Sequence, residues 1–499
     1  MPESVWSRLA SAWAEITDLE RVAAVLDWDQ QVYMPAAGAA GRGEQLATVE
    51  RLAHARLTSP DLAALLEEAA AQPNPDPEQA AWVRVGLRLH RRAARVPADL
   101  VAEMTRAASA GFAVWSVAKG DGDFARFAPS LERLVVLARE YADAVGGPSR
   151  YAALLESHEP GMAVSRVESV FAALRKALVP MVAAVAERPA PSRAPFTRPI
   201  PTATQLAAGR AAVTAFGYDW SRGRQDLSAH PFSTSFGPQD CRITTRLDVD
   251  DFSMAFFSTL HEAGHAMYEQ GIPEVWSRTP LGQASSTGVH ESQSRLWENM
   301  IGRSLPFWEY FTPELERVAP GVFSGLTARE LYGAANRVQP SLIRVEADEL
   351  TYNLHVLLRF ELEQGLIAGD LPVGELPAAW NDGMARLIGV RPGNDRQGVL
   401  QDVHWSTGAF GYFPTYTLGT VLAAQWLEEA ERRIGDLWAE VRAGNFSGLL
   451  GFLRGEIHAR GASMTPDELA TAVSGRPLDV EPYLRYIHRK YEELYGPLP

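Results

Sequence analysis

Cysteine is nearly absent: Cys241 is the only one in 499 residues. A single thiol excludes an internal disulfide and any thiolate-rich zinc site, so a metal bound here must rely on histidine and carboxylate. Positive charge is also scarce. Lys and Arg number 47 against 61 Asp and Glu, a net charge of -14, and no basic block occurs along the chain. That argues against nucleic acid or an anionic membrane as the main partner. The opening "MPESVWSRLASAWAEITDLE" lacks a basic region followed by an apolar one. No later run reaches the roughly 18 apolar residues of a membrane span. Secretion and membrane insertion are not expected, and the cytoplasm is the expected location.

What is present suits a large core. Hydrophobic residues make up 46% of the chain, enough for one big domain or two packed lobes. Trp6, Leu9, Trp13, Ile16, Leu19, Val22 and Leu26 recur at spacings of three and four, the stripe of a long amphipathic helix. Similar patterns run through "DLAALLEEAAAQ", "ERLVVLAREYADAV" and "VESVFAALRKALVPMVAAV". No longer repeat emerges. Prolines at 189, 191, 195, 199 and 201 mark a connector. It is expected to join an N-terminal helical part, residues 1–200, to a catalytic part, residues 201–499, within one continuous domain. "HPFSTSFGPQDCRITTRLDVD" is the one convincing β segment, turning at Gly237-Pro238. Thr465, Pro466 and Glu468 form a capping-box helix start. The fold class is therefore mainly α with a small sheet.

"STLHEAGHAMYEQG" sets His261 and His265 four apart, with Glu262 directly after the first. Phe252, Phe256, Leu260 and Met267 form a helical stripe that Asp250 or Asp251 can cap and Gly271 can end. On a helix, one turn brings the two imidazoles to a common point. Glu262 then lies beside the metal, where it can take a proton from an activated water. A catalytic site needs a third ligand. "SSTGVHESQSRLWENMIGRS" offers Glu291, in the first turn of a helix capped by Ser285, Ser286 or Thr287. Glu298 is placed to accept a hydrogen bond from a ligand imidazole or to sit on the surface. His290 reads as cleft lining or packing.

Three further groups carry polar chemistry. Asp240, Arg242 and Thr244 alternate, so on a strand they share one face and Asp240 can brace Arg242. Arg344 and Asp348, four apart, can pair on a helix. His404, Tyr412 and Tyr416 lie in a glycine- and aromatic-rich bend that can donate to an oxyanion or simply pack. Cys241 reads as a small buried apolar residue.

Six motifs then fall in order: H-P-F at 230–232, D-x-R-x-T at 240–244, H-E-A-G-H at 261–265, H-E-S-Q at 290–293, I-R-x-x-A-D at 343–348 and G-x-x-Q-D-x-H-W at 398–405. With "LDWDQQVYMP" and "EPGM" at 159–162, the chain resembles the carboxypeptidase Taq family of metallocarboxypeptidases over nearly its whole length. The resemblance implies a large helical fold with a deep groove and a small sheet beside the HExxH helix, usually a homodimer. It implies release of single residues from peptide C-termini. His261, His265 and Glu291 would hold one divalent metal, zinc or else cobalt, with Glu262 as general base. Arg242 and Arg344 would engage the substrate's C-terminal end, and His230 would lie near the closed end of the groove. His404 and Tyr416 resemble the transition-state donors of related zinc peptidases, with Tyr412 the alternative to Tyr416. Two other readings use the same residues: an oligo-endopeptidase and a catalytically idle metal-dependent binding protein.

Overall fold

The computed structural model describes residues 3–499; Met1 and Pro2, at the head of the N-terminal stretch, lie outside it. Helices dominate, and one three-stranded sheet, ordered β1-β3-β2, occurs among the described residues. The chain forms two compact units. The first takes residues up to 94, 192–335 and 426–477; the second takes 95–191, 336–425 and 478–499. One change of unit, from Pro191 to Ser192, falls inside the proline-rich stretch.

In the first unit, Ser4 caps the helix Val5–Val32. Its stripe buries Val5, Leu9, Trp13 and Ile16 with Leu62, Leu66, Trp82 and Val85. Each such large side chain contributes about 1.5–3 kcal/mol. Beyond Ile16 the expected stripe leaves this core. Val22 is 48% exposed, and Trp28 is the next buried apolar residue. A straight helix presents one face to a core of limited length, so its far end needs a second seat, and the sheet supplies it.

That sheet is β1 (Gln225–Leu227), β2 (Ser233–Ser235) and β3 (Cys241–Thr245). β2 and β3 pair antiparallel across the turn, where Gly237 has φ +123°, a conformation open chiefly to glycine. β1 pairs parallel to β3, with Gln225 opposite Ile243. Three residues in a polar run gave no strand signal. Thr244 pins the H-P-F segment: its Oγ1 accepts from the Phe232 N–H at 2.9 Å, and its own N–H donates to the Phe232 carbonyl at 2.8 Å. The sheet lies beside the HExxH helix Phe252–Gly271, joined through Thr245 and Ser258 hydroxyls 3.2 Å apart and a Gln225–Thr259 bond of 3.2 Å. The capping box at Thr465 and Glu468 is formed.

In the second unit, Phe124–Val145, Val164–Ala186 and Glu349–Ala368 are the long helices that matter here. Val164–Ala186 is long and apolar enough to cross a membrane by length and composition. Val167, Val170, Phe171, Leu174, Leu178, Met181, Val182 and Val185 on it are buried, and Phe171 stacks on Phe360 at 4.9 Å. That is the pattern of a core helix.

Candidate metal centre

Asp251 starts the HExxH helix by accepting from the Ser253 N–H at 2.9 Å. Phe252, Phe256, Leu260 and Met267 are fully buried along one stripe, so the other edge carries His261 and His265. The second helix, Thr287–Arg295, is capped by Ser286, which puts Glu291 in its second turn rather than its first. Close contact between the two helices requires Gly264. A Cβ there would stand 2.6 Å from Ser294 Cα and 2.7 Å from the Gln293 carbonyl.

This approach brings one ligand atom each from His261, His265 and Glu291 within 4.8 Å of one another. Glu291 Oε2 lies 3.6 Å from His261 Nε2 and 3.3 Å from His265 Nε2. Its other oxygen, Oε1, is held by Arg295 Nε at 2.6 Å. The imidazoles are oriented from behind. His261 Nδ1 donates to Glu298 Oε2 at 2.9 Å, and His265 Nδ1 to the His290 carbonyl at 3.1 Å. Both Nε2 lone pairs therefore face Glu291, and two nitrogens with one carboxylate oxygen form a donor set that fits a divalent cation.

His290 also has a defined place. Its Nε2 donates to Glu269 Oε1 at 2.9 Å, leaving Nδ1, 2.6 Å from His265 Nδ1, to share that nitrogen's single proton with the His290 carbonyl. Glu298 comes from a π-helical turn, Leu296–Ile301, a local widening common at functional sites. Arg303 Nη2 holds the other oxygen of Glu298 at 2.9 Å.

Charge is arranged to match. Burial and the neighbouring His290 depress His265 to about 3, so it stays neutral. Burial opposes ionisation of Glu291, but Arg295 and the histidines outweigh it and hold the carboxyl well below its usual range. Glu262 goes the other way. Burial raises it to about 7, with Glu291 and Glu298 adding to the rise against His261.

Arg242, in the same unit, is gripped by Asp240 through Nε at 2.8 Å and Nη2 at 2.7 Å. His230 is exposed, and its carbonyl accepts from Ser228 Oγ at 2.5 Å. Cys241 is buried, and burial pushes its thiol up to about 12.

The second unit gathers the other candidates. His404 Nε2 and the Tyr416 hydroxyl are 3.0 Å apart, Tyr412 packs on His404 at 5.4 Å, and the Arg344 guanidinium lies 4.9 Å from the Tyr416 ring. Burial and Arg344 depress His404 to about 3. The expected Arg344–Asp348 pair is not formed. Residues 344–346 make a single 3-10 turn and Asp348 caps the next helix, accepting from the Leu350 and Thr351 N–H groups. The four-residue spacing presupposed a continuous helix. Arg344 Nε instead donates to Asp402 at 2.9 Å, and Arg359 Nε to the same carboxylate at 2.8 Å. Arg359 and Glu363 escaped sequence reasoning. Asp402 was visible as the aspartate of the G-x-x-Q-D-x-H-W motif, but nothing local assigned it to Arg344.

The chain is similar to known carboxypeptidases over nearly its whole length. The chain is 40% identical to the "Thermostable carboxypeptidase 1" of Thermus thermophilus, covering 99% of this chain and all of that one. It is 33% identical to "Carboxypeptidase 1" of Bacillus subtilis, covering 96% of each. The solved M32 carboxypeptidase from Deinococcus radiodurans superposes with a TM-score of 0.96 at 41% identity, over 99% of this chain and 100% of that one. The model of the carboxypeptidase Taq (M32) metallopeptidase family matches residues 8–491, and the chain belongs to that family.

Proposed function

We infer that this protein is a metal-dependent carboxypeptidase that removes single amino acids from the C-terminus of peptides. The observation that carries the reading is the convergence of His261, His265 and Glu291 on one point, with Glu262 on the turn between the two histidines. Those three side chains would hold the cation. Zinc suits two imidazoles and a carboxylate best, and cobalt suits them also. When bound, the cation acts as a Lewis acid toward the scissile carbonyl and acidifies water.

The chain's own residues divide the remaining work. Glu262 takes the proton of the attacking water on its carboxylate and delivers a proton to the leaving amine. Arg242 and Arg344 are the candidates for holding the terminal carboxylate, which a guanidinium grips with two parallel bonds. Each already has an aspartate fixing its direction, Asp240 and Asp402 respectively. His404, Tyr416 and Tyr412 are the candidate donors to the developing oxyanion, and a neutral His404 is suited to donate. His230 is the candidate for the closed end of the groove. A homodimer completes the reading, on family likeness, and the single cysteine suits the cytoplasm.

The test is a short peptide offered free and C-terminally amidated, with and without chelator, with products followed by mass. Single-residue release from the free peptide alone, stopped by chelator and restored by zinc or cobalt, is expected. Equal rates on the amidated peptide would mean an endopeptidase, and bound metal without release would mean an idle site.

A further inference from the structure

The Trp28 of "LDWDQQVYMP" has no part in the chemistry above, yet it is buried at the far end of the first helix. The Arg242 guanidinium carbon lies 4.3 Å from the centre of its ring and 4.7 Å from that of Phe236. Arg224 stands 5.3 Å from the Trp28 ring and 5.6 Å from that of Tyr33. Phe236, Arg242, Trp28, Arg224 and Tyr33 thus form a continuous series of alternating aromatic and guanidinium groups.

Each guanidinium in the series has its own aspartate. Asp226 holds Arg224 through Nε at 2.7 Å and Nη2 at 2.6 Å; Tyr33 donates its hydroxyl to the same carboxylate. Asp240 takes Nε and Nη2 of Arg242. The Nη1 end of Arg242 makes no hydrogen bond among the described residues, and its side chain is 19% exposed. One edge is therefore fixed, aromatic rings restrain the plane, and one end is left to an incoming anion.

We propose that Trp28, together with Phe236, is a positioning residue for substrate recognition: the two rings hold the plane of Arg242 so that its Nη1 end meets the peptide's terminal carboxylate. The inference rests on the reading of Arg242 as a carboxylate-holding residue. An arginine stem has many rotamers to lose on binding, and stacking removes that loss beforehand. The contact to a terminal carboxylate persists from ground state to transition state, so loosening it raises KM and spares kcat.

Four variants test this on the metal-loaded protein: Trp28→Ala, Trp28→Phe, Phe236→Leu and Arg242→Ala. Trp28→Ala is expected to raise KM for a free-carboxylate peptide about three- to tenfold with kcat within about twofold. Trp28→Phe should recover most of the loss. Where Trp28→Ala fails to fold, Phe236→Leu carries the same expectation. A fall in kcat on the free peptide with KM unchanged would mean a purely structural role and overturn the proposal. A raised KM in Arg242→Ala with no change in the folded ring variants would overturn the positioning role alone. An unchanged KM in Arg242→Ala would remove the reading of that arginine and the proposal with it.

Discussion

Glu298 Oε2 lies 2.9 Å from His261 Nδ1, on the opposite edge of the ring from Glu291. The bond fixes the tautomer and raises the basicity of Nε2. Glu298→Gln keeps an acceptor but removes the charge. Metal affinity, read by competition with a chromogenic chelator, is expected to fall about 10- to 100-fold. Unchanged affinity would mean that the carboxylate does not tune the ligand.

Gly264 lets the two ligand-bearing helices touch, since a Cβ there would fall 2.6 Å from Ser294 Cα. The obstacle is backbone, which cannot swing aside as a side chain can. Gly264→Ala should cost about 1–3 kcal/mol of stability and weaken metal binding, because Glu291 moves away from the histidines. Gly43, inside the helix Ala39–Leu57, meets nothing within 4 Å. There, alanine should stabilise by about 0.5–1 kcal/mol. Thermal melts and metal stoichiometry on the two variants separate packing from helix propensity.

The contrast between these glycines marks where sequence stops being informative. The H-E-A-G-H spacing discloses a one-turn relationship between His261 and His265, because helix geometry is local. Glu291 was legible because a capped helix begins just before it. The Thr465 capping box was readable for the same reason. Which glycine faces a neighbouring backbone is a tertiary fact. So are the partners of Arg344. Its expected mate Asp348 lies four residues away, whereas the actual one, Asp402, lies fifty-eight away. β1 was missed because its pairing with β3 comes from register, not from its three residues. The π-helical turn at Leu296–Ile301 had no composition signal at all.

Glu363 is fully buried and accepts from Trp405 Nε1 at 2.8 Å, the Tyr151 hydroxyl at 2.9 Å and the Gly411 N–H at 3.1 Å. It ties down both ends of the bend that carries His404. Burial nonetheless raises it to about 7 from 4.5. Between those values the folded state keeps the proton and the unfolded chain releases it. Stability from this group therefore falls as pH rises through that window and levels off above it. The full change is on the order of 3 kcal/mol. Glu363→Gln cannot titrate, so its stability should fall less than the parent's between pH 5 and 8 in urea titrations. Parallel pH curves would mean that the carboxyl is ionised throughout.

Asp402 neutralises two arginines at once, Arg344 with a side chain 5% exposed and Arg359 with one that is 0% exposed. The guanidiniums hold it far below the usual carboxylate range against the effect of burial. Removing the charge leaves two cations out of water without a counter-charge, which costs about 3–5 kcal/mol. Asp402→Asn should therefore be severely destabilising. Asp348→Ala removes a helix cap, for a loss of about 0.5–2 kcal/mol. A double-mutant cycle with Arg344→Met decides which aspartate the arginine answers to. Coupling to Asp402 should reach about 1–3 kcal/mol, the range for residues in direct contact, and should clearly exceed coupling to Asp348. The reverse order would restore the four-residue pairing that the spacing alone suggests.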